Sequence, residues 1–205
     1  MSLFPIFVKL ERRLIVVVGG GTIAEAKIPG ALSAGARIRL IAPSITPQIA
    51  EWVRSGKIDW LPKAFEAADL DGAFLVIAAT SAPGVNEAVF REAETRGILC
   101  NAVDDVEHCH FYYGAVVQRG DLQIAISTNG KSPALAQRLR QEFEAQFGPE
   151  YEVWLQWLGA AREVLRARSP SSETTKKLLH ELASRPMFEE FLRQAKHQPG
   201  HRGAA

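Results

Sequence analysis

The chain has 205 residues, 47% hydrophobic and 23% charged, which is enough to bury one large core or a medium core with a smaller appendage. Its formal net charge of +1 argues against the basic footprint of a nucleic-acid or membrane-surface binder, and no apolar run is long enough to cross a membrane. Two cysteines, Cys100 and Cys109, cannot build a disulfide framework, and the first residues do not resemble a secretory signal. The expected setting is the reducing cytoplasm, with neither nucleic acid nor membrane as a partner.

Residues 1–10 are apolar enough to be expected against a sheet, and Glu11-Arg12-Arg13 reads as a charged turn. Leu14 to Val18 is an uninterrupted aliphatic run with no polar side for solvent, so it predicts a strand buried on both faces. Gly19, Gly21 and Ala24 follow as the G-x-G-x-x-A form of the dinucleotide fingerprint. Gly19 permits the tight turn, Gly21 lets a pyrophosphate approach the backbone, and Ala24 lets the next helix pack on the strand. That helix is predicted from Thr22 to Ala34 with Gly35 at its C′ position, its first N–H groups facing the phosphates. Pro29 removes a hydrogen bond to Glu25 and predicts a kink there or a divided helix.

Arg37 to Ile41 alternates as a second strand, with Arg37 and Arg39 read as solvated charges, and it ends at Ala42-Pro43-Ser44. A carboxylate that would read the adenosine ribose is missing at this strand end, so the sequence does not separate NAD from NADP. A helix over Pro47 to Arg54, a strand over Ile58 to Leu61 and a short connection over Phe65 to Leu70 come next. Phe74 to Thr80 is a second doubly buried strand, and its end puts Thr80 and Ser81 beside the nicotinamide half of a cofactor. Ser81 reads equally well as a helix cap. Pro83 to Thr95 is predicted helical and Ile98 to Val103 a fifth strand. The alternation implies an α/β, Rossmann-type, doubly wound parallel sheet with helices on both faces.

After Val103 titratable groups crowd the strand end: Asp104, Asp105, Glu107, His108, Cys109 and His110. Neighbouring residues on a strand point to alternate faces, so His108, Cys109 and His110 do not converge easily, and no resident metal site is expected. They read as a transient metal-delivery site or as ordinary strand-start residues. Phe111 to Gln118 and Leu122 to Ser127 predict a hairpin around Arg119-Gly120-Asp121. Thr128 to Pro133 is a loop in which Ser132 and Pro133 make an N-cap and N1 pair for a helix running to about Phe147. Helices are predicted over Glu150 to Arg166, Glu173 to Leu182 and Met187 to Lys196, with a disordered tail beyond.

These residues together resemble one family, the siroheme-synthase dehydrogenase and ferrochelatase module. The resemblance runs through Phe4-Pro5-Ile6-Phe7, the Val-Gly-Gly-Gly run with Ala24 and Lys27, and Ile77-Ala78-Ala79-Thr80 with Val85-Asn86. It continues in Asn101-Ala102-Val103-Asp104-Asp105 and in Ile126-Ser127-Thr128-Asn129-Gly130-Lys131-Ser132-Pro133-Ala134-Leu135-Ala136. The resemblance implies NAD-dependent oxidation of precorrin-2 to sirohydrochlorin, followed by insertion of ferrous iron to give siroheme. It puts the catalytic aspartate at Asp104 and NAD contacts at Thr22, Ile23, Pro43 and Ser44, beside the fingerprint's Gly19 and Gly21. It also implies a homodimer, with residues 1–113 as the NAD-binding domain, 114–148 as the dimerisation region, 149–198 as a helical domain and 199–205 as a tail. A loop serine that carries phosphate in some members falls on Thr128. Two positions depart from the pattern: Gly114 stands where proline is usual, and Ala26 where arginine is common.

Oxidising the tetrapyrrole requires loss of a hydride and of a proton, hence a cofactor and a base, and Asp104 suits the base with Asp105 as its rival. The substrate's carboxylates need cationic or N–H donors, for which Asn129, Lys131 and Ser132 are candidates. Two alternatives stand beside this reading: an NAD-binding sensor without catalysis, and a dehydrogenase with no chelatase activity.

Overall fold

The computed structural model describes residues 3–82, 84–169 and 172–197. Pro83 of the expected helix start, Pro170 and Ser171 of an expected linker, and the expected tail lie outside the described residues. The chain divides into two compact units, Leu3–Tyr113 and the part from Gly114 onward.

The first unit is a five-stranded parallel sheet, in the order β3-β2-β1-β4-β5. Its strands are β1 (Leu14–Val18), β2 (Arg37–Ile41), β3 (Asp59–Leu61), β4 (Leu75–Ala78) and β5 (Leu99–Ala102). The most continuous aliphatic runs take the centre: β1 lies between β2 and β4, in register Val17↔Leu40 and Val17↔Ile77. On one face α1 (Thr22–Ser33) and α2 (Pro47–Arg54) bury Ala24, Ile28 and Ile49 against Ile15, Val17 and Leu40. On the other, α3 (Val85–Thr95) and a 3₁₀ turn (Ala67–Leu70) bury Val89, Ala93 and Leu70 against Val16, Val18 and Val76. The strand order reverses between β1 and β4, so a crevice opens beyond their carboxyl ends.

Three expectations are corrected in this unit. Helix α1 is not divided: Pro29 sits inside it, on its exposed side. Pro29 has no N–H to return to the Glu25 carbonyl, and the helix continues past that one missing bond. Residues Leu3–Val8 form no strand and are exposed, Phe4 at 85% and Phe7 at 72%. Both flanks of β1 are taken, and of the described residues before Glu11 only Leu10 packs on the core. Ser81 does not cap α3, whose N-cap is Gly84 with φ +73 and no side-chain bond.

The second unit begins with an antiparallel hairpin of β6 (Ala115–Arg119) and β7 (Leu122–Ile126), joined by Gly120-Asp121. The strand starts later than expected, because residues 111–114 are irregular. A Cβ on Gly114 would lie 2.9 Å from the Ile126 carbonyl oxygen, so the chain passes its partner strand too closely for a larger residue without a shift. Helix α4 (Pro133–Gln146) opens at Ser132, whose hydroxyl accepts from the Leu135 N–H at 3.2 Å. It closes with Arg119, which donates to the Glu144 and Phe147 carbonyls at 3.1 and 2.8 Å. Helices α5 (Glu150–Arg168), α6 (Glu173–Leu182) and α7 (Arg185–His197) follow. Tyr151 and Trp154 of α5 pack on Phe188 of α7, with ring centroids 4.4 and 4.7 Å apart.

Candidate active site

The turn from β1 into α1 is built by two glycines and left open by a third. Gly19 has φ +115, and a Cβ on it would lie 2.3 Å from the Ala79 carbonyl oxygen. Gly20, the position the fingerprint leaves free, is as constrained: its Cβ would lie 2.2 Å from the Ser44 carbonyl oxygen. Gly20 also accepts from the Thr46 N–H at 3.0 Å, which ties the loop after β2 to the glycine turn. At Gly21 a Cβ would meet nothing within 4 Å. Gly21 is the N-cap of α1 and supplies no side-chain acceptor, so the first N–H groups of the helix are left for solvent or an anion. Gly21, Thr22 and Ile23 are exposed, as are Pro43 and Ser44. This open cradle of backbone donors fits a dinucleotide pyrophosphate.

Thr80 follows β4 and is clamped by Asn86 of α3. Its N–H and hydroxyl both donate to Asn86 Oδ1, at 3.1 and 3.0 Å, and its carbonyl accepts from Asn86 Nδ2 at 3.2 Å. The hydroxyl proton is thereby committed, and towards any ligand Thr80 Oγ1 can only accept. Asn86 is the residue that sequence reasoning missed as a site-builder; the signal was its spacing of six after Thr80.

Asp104 follows β5 in a turn with φ +62, a conformation that few residues other than glycine, asparagine and aspartate adopt readily. Its side chain is exposed and makes no hydrogen bond or ion pair among the described residues. Asp105 is not its partner: Asp105 Oδ2 lies 2.6 Å from His108 Nδ1. His108, Cys109 and His110 each go elsewhere. Cys109 Sγ donates to the Ala102 and Asp105 carbonyls, each at 3.1 Å, and His110 Nδ1 accepts from the Cys100 N–H at 3.1 Å. Burial pushes the Cys100 thiol up to about 12 and raises that of Cys109. Residues 109–110 run back antiparallel along β5, bridging Asn101 to Cys109.

The expected residues Gly19, Gly21, Thr22, Ile23, Pro43, Ser44, Thr80 and Asp104 therefore all stand at the carboxyl ends of four adjacent strands, β2, β1, β4 and β5. Asn129, Lys131 and Ser132 belong to the second unit, in the loop before α4. There Asn129 has φ +54, Lys131 is exposed, and the Ser132 hydroxyl serves as the helix cap. The Thr128 hydroxyl donates to the Ser132 carbonyl at 3.1 Å and accepts from the Ser132 N–H at 3.2 Å.

Residues 6–115 match the family model described as "Putative NAD(P)-binding", and residues 119–146 match that of the sirohaem biosynthesis protein central region. Siroheme synthase 1 of Serratia proteamaculans (strain 568) is 41% identical over 171 residues, covering 82% of this chain and 36% of the relative. A siroheme synthase of Xylella fastidiosa (strain M12) is 36% identical over 197 residues, 96% of this chain and 41% of its own length. The chain thus spans well under half the length of these curated relatives. A solved structure of SirC, a precorrin-2 dehydrogenase, is 30% identical with a TM-score of 0.75, covering 96% of this chain and 100% of that one. By sequence, by fold and by its open glycine turn, this chain belongs to the siroheme-synthase dehydrogenase-module family, the family of the precorrin-2 dehydrogenase SirC.

Proposed function

We propose that the protein oxidises precorrin-2 to sirohydrochlorin with NAD and then inserts ferrous iron to give siroheme. The observation that carries the first reaction is the shared sheet edge. The open turn after β1 and the exposed carboxylate of Asp104 after β5 are two strands apart, roughly 10 Å at about 4.8 Å per strand, with Thr80 after β4 between them. The N–H groups from Gly21 to Ile23 would hold the pyrophosphate, and Pro43 and Ser44 the adenosine side. NAD, when bound, supplies the acceptor for the hydride leaving a macrocycle carbon. Asp104 takes the accompanying proton, as a carboxylate with no competing partner among the described residues, on a backbone turn that limits its reach. Thr80, held by Asn86, orients the cofactor as a hydrogen-bond acceptor.

Asn129, Lys131 and Ser132 are the residues we assign to the substrate's carboxylates. Iron insertion also requires proton removal, from pyrrole N–H groups, and the same carboxylate suits it. The iron is a substrate and must leave with the product. That is consistent with His108, Cys109 and His110 each being engaged with other groups rather than gathered as a closed ligand set. We further assign the working form to a homodimer and the reaction to the cytoplasm, where free thiols such as Cys100 and Cys109 persist. Among the described residues no helix is long and apolar enough to cross a membrane.

An anaerobic assay with precorrin-2 generated in place tests this, following sirohydrochlorin absorbance with NAD or NADP and then adding ferrous iron. Oxidation, then iron-dependent conversion faster than in the enzyme-free control, is expected. No oxidation with either cofactor, by protein that binds NAD, would overturn the proposal.

A further inference from the structure

We infer that the first unit carries a second anion site, at the amino-terminal edge of its sheet, which takes a small multivalent oxyanion. A cleft of ≈ 430 Å³ lies there, lined by four arginines, Arg12, Arg13, Arg37 and Arg39, together with Asp71 and Phe74. Arg12 and Arg13 lead into β1, while Arg37 and Arg39 alternate on one face of β2 around the buried Ile38. This is the opposite end of the strands from the glycine turn, about 17 Å away at roughly 3.3 Å per residue.

The charge in this cleft is uncompensated. Several surface arginines elsewhere are paired within helices, as in Arg54 with Glu51, Arg91 with Glu87 and Arg140 with Glu144, while those of α5, Arg162, Arg166 and Arg168, are spread along one helix and are not gathered in a cleft. Arg12, Arg13 and Arg37 meet no carboxylate among the described residues. The one acid lining the cleft, Asp71, is engaged by Arg96, which also binds Glu92 at 2.5 Å. Glu11, the acid nearest in sequence, forms no ion pair with them. Solvated strand-end charges need no cleft, and like charges brought together repel unless something between them is negative.

The cleft is also preorganised. Arg39 Nη1 donates to the Asp69 and Asp71 carbonyls at 3.1 and 3.2 Å, which fixes its guanidinium plane. The Arg13 guanidinium lies 5.1 Å above the Phe74 ring. Arg12 is held at φ +59, outside the range ordinary residues prefer, with its N–H bonded to the Gly35 carbonyl at 2.8 Å. Two backbone donors of the floor are already used: Arg37 N–H goes to the Arg13 carbonyl and Phe74 N–H to that of Leu14. Recognition therefore falls to guanidinium forks, whose geometry matches paired oxygens of phosphate or carboxylate groups. A concave surface on which four arginines outnumber the single lining acid, Asp71, focuses positive potential on such a ligand. The small volume of this open cleft and the net charge of +1 fit a small molecule rather than a nucleic acid.

The test is titration of the full chain with inorganic pyrophosphate and, separately, with citrate, by calorimetry and by amide NMR, with and without saturating NAD. Saturable binding is expected that persists with NAD present and shifts the amides of Leu14, Arg37 and Gly72. The double variant Arg12→Gln/Arg37→Gln, both exposed positions, should weaken it about tenfold or more while leaving NAD affinity and melting temperature unchanged. Arg37→Lys, which keeps charge but loses the fork, should fall between. Stronger binding of pyrophosphate identifies a phosphate-bearing ligand, and stronger binding of citrate a polycarboxylate. No saturable binding of either probe, an affinity the double variant leaves unchanged, or shifts confined to the glycine turn would overturn the assignment.

Discussion

The α-carbon of Gly20 approaches the carbonyl of Ser44 so closely that an added Cβ would lie 2.2 Å from its oxygen. The middle glycine thus joins two loops that flank the same crevice. Gly20→Ala should destabilise the fold by about 1–3 kcal/mol, as overpacking does, and weaken NAD by displacing the Ser44 loop. Gly21→Ala has open space and should change stability by less than about 1 kcal/mol, yet its methyl group would stand where the pyrophosphate approaches. Thermal melts paired with calorimetric NAD titration separate the two effects.

Asn86 holds Thr80 through three hydrogen bonds, so its truncation should be felt in stability before activity. Asn86→Ala leaves part-buried backbone groups of Thr80 without partners, and urea unfolding should show a loss of about 1–3 kcal/mol. Asn86→Asp keeps the acceptor but sets a carboxylate oxygen against the Thr80 carbonyl, so it should not restore the parent's stability.

Asp104 needs a choice of variant that respects its φ of +62. Asn tolerates that conformation, whereas Ala costs about 1 kcal/mol there. Asp104→Asn should therefore fold like the parent and bind NAD normally, while precorrin-2 turnover falls roughly 10²–10⁴-fold. Equal turnover in the two proteins would remove Asp104 from the mechanism.

Cys100 gives a pH signature. Its thiol is raised from 9.0 to about 12 in the fold, so the native state retains a proton that the unfolded chain has already lost. The contribution is fully present below pH 9 and declines as pH rises towards 12, because the unfolded state then binds fewer protons. Urea midpoints for the parent and Cys100→Ala, compared across this window, should converge with rising pH. Native Cys100 should also resist thiol reagents at pH 8 until the protein is unfolded.

The central strands were legible because β1 and β4 must lose water on both faces, and a continuous aliphatic run admits few other arrangements. The Ser132-Pro133 start of α4 was legible because a cap is a local matter of one hydroxyl and one N–H. What escaped depends on distant partners. Gly20 answers to Ser44, and Asn86 answers to Thr80 across a loop. The apolar Leu3–Val8 segment advertises a need for cover without naming what supplies it. Pro29 marks one lost backbone hydrogen bond, and of the two outcomes that loss allows, α1 does not take the division.

The return of Cys109 and His110 along β5 has a further consequence. A parallel sheet that ended at β5 would offer a row of open backbone groups to any extended chain, including that of another molecule. Here the His110 ring accepts from the Cys100 N–H and the His110 N–H donates to the Cys100 carbonyl, at 3.1 and 2.8 Å. The margin is closed by a segment too short to act as a template itself. The same few residues that follow the Asp104 turn thereby cover the middle of this edge strand, one of the ways in which sheets blunt an edge against pairing with another chain.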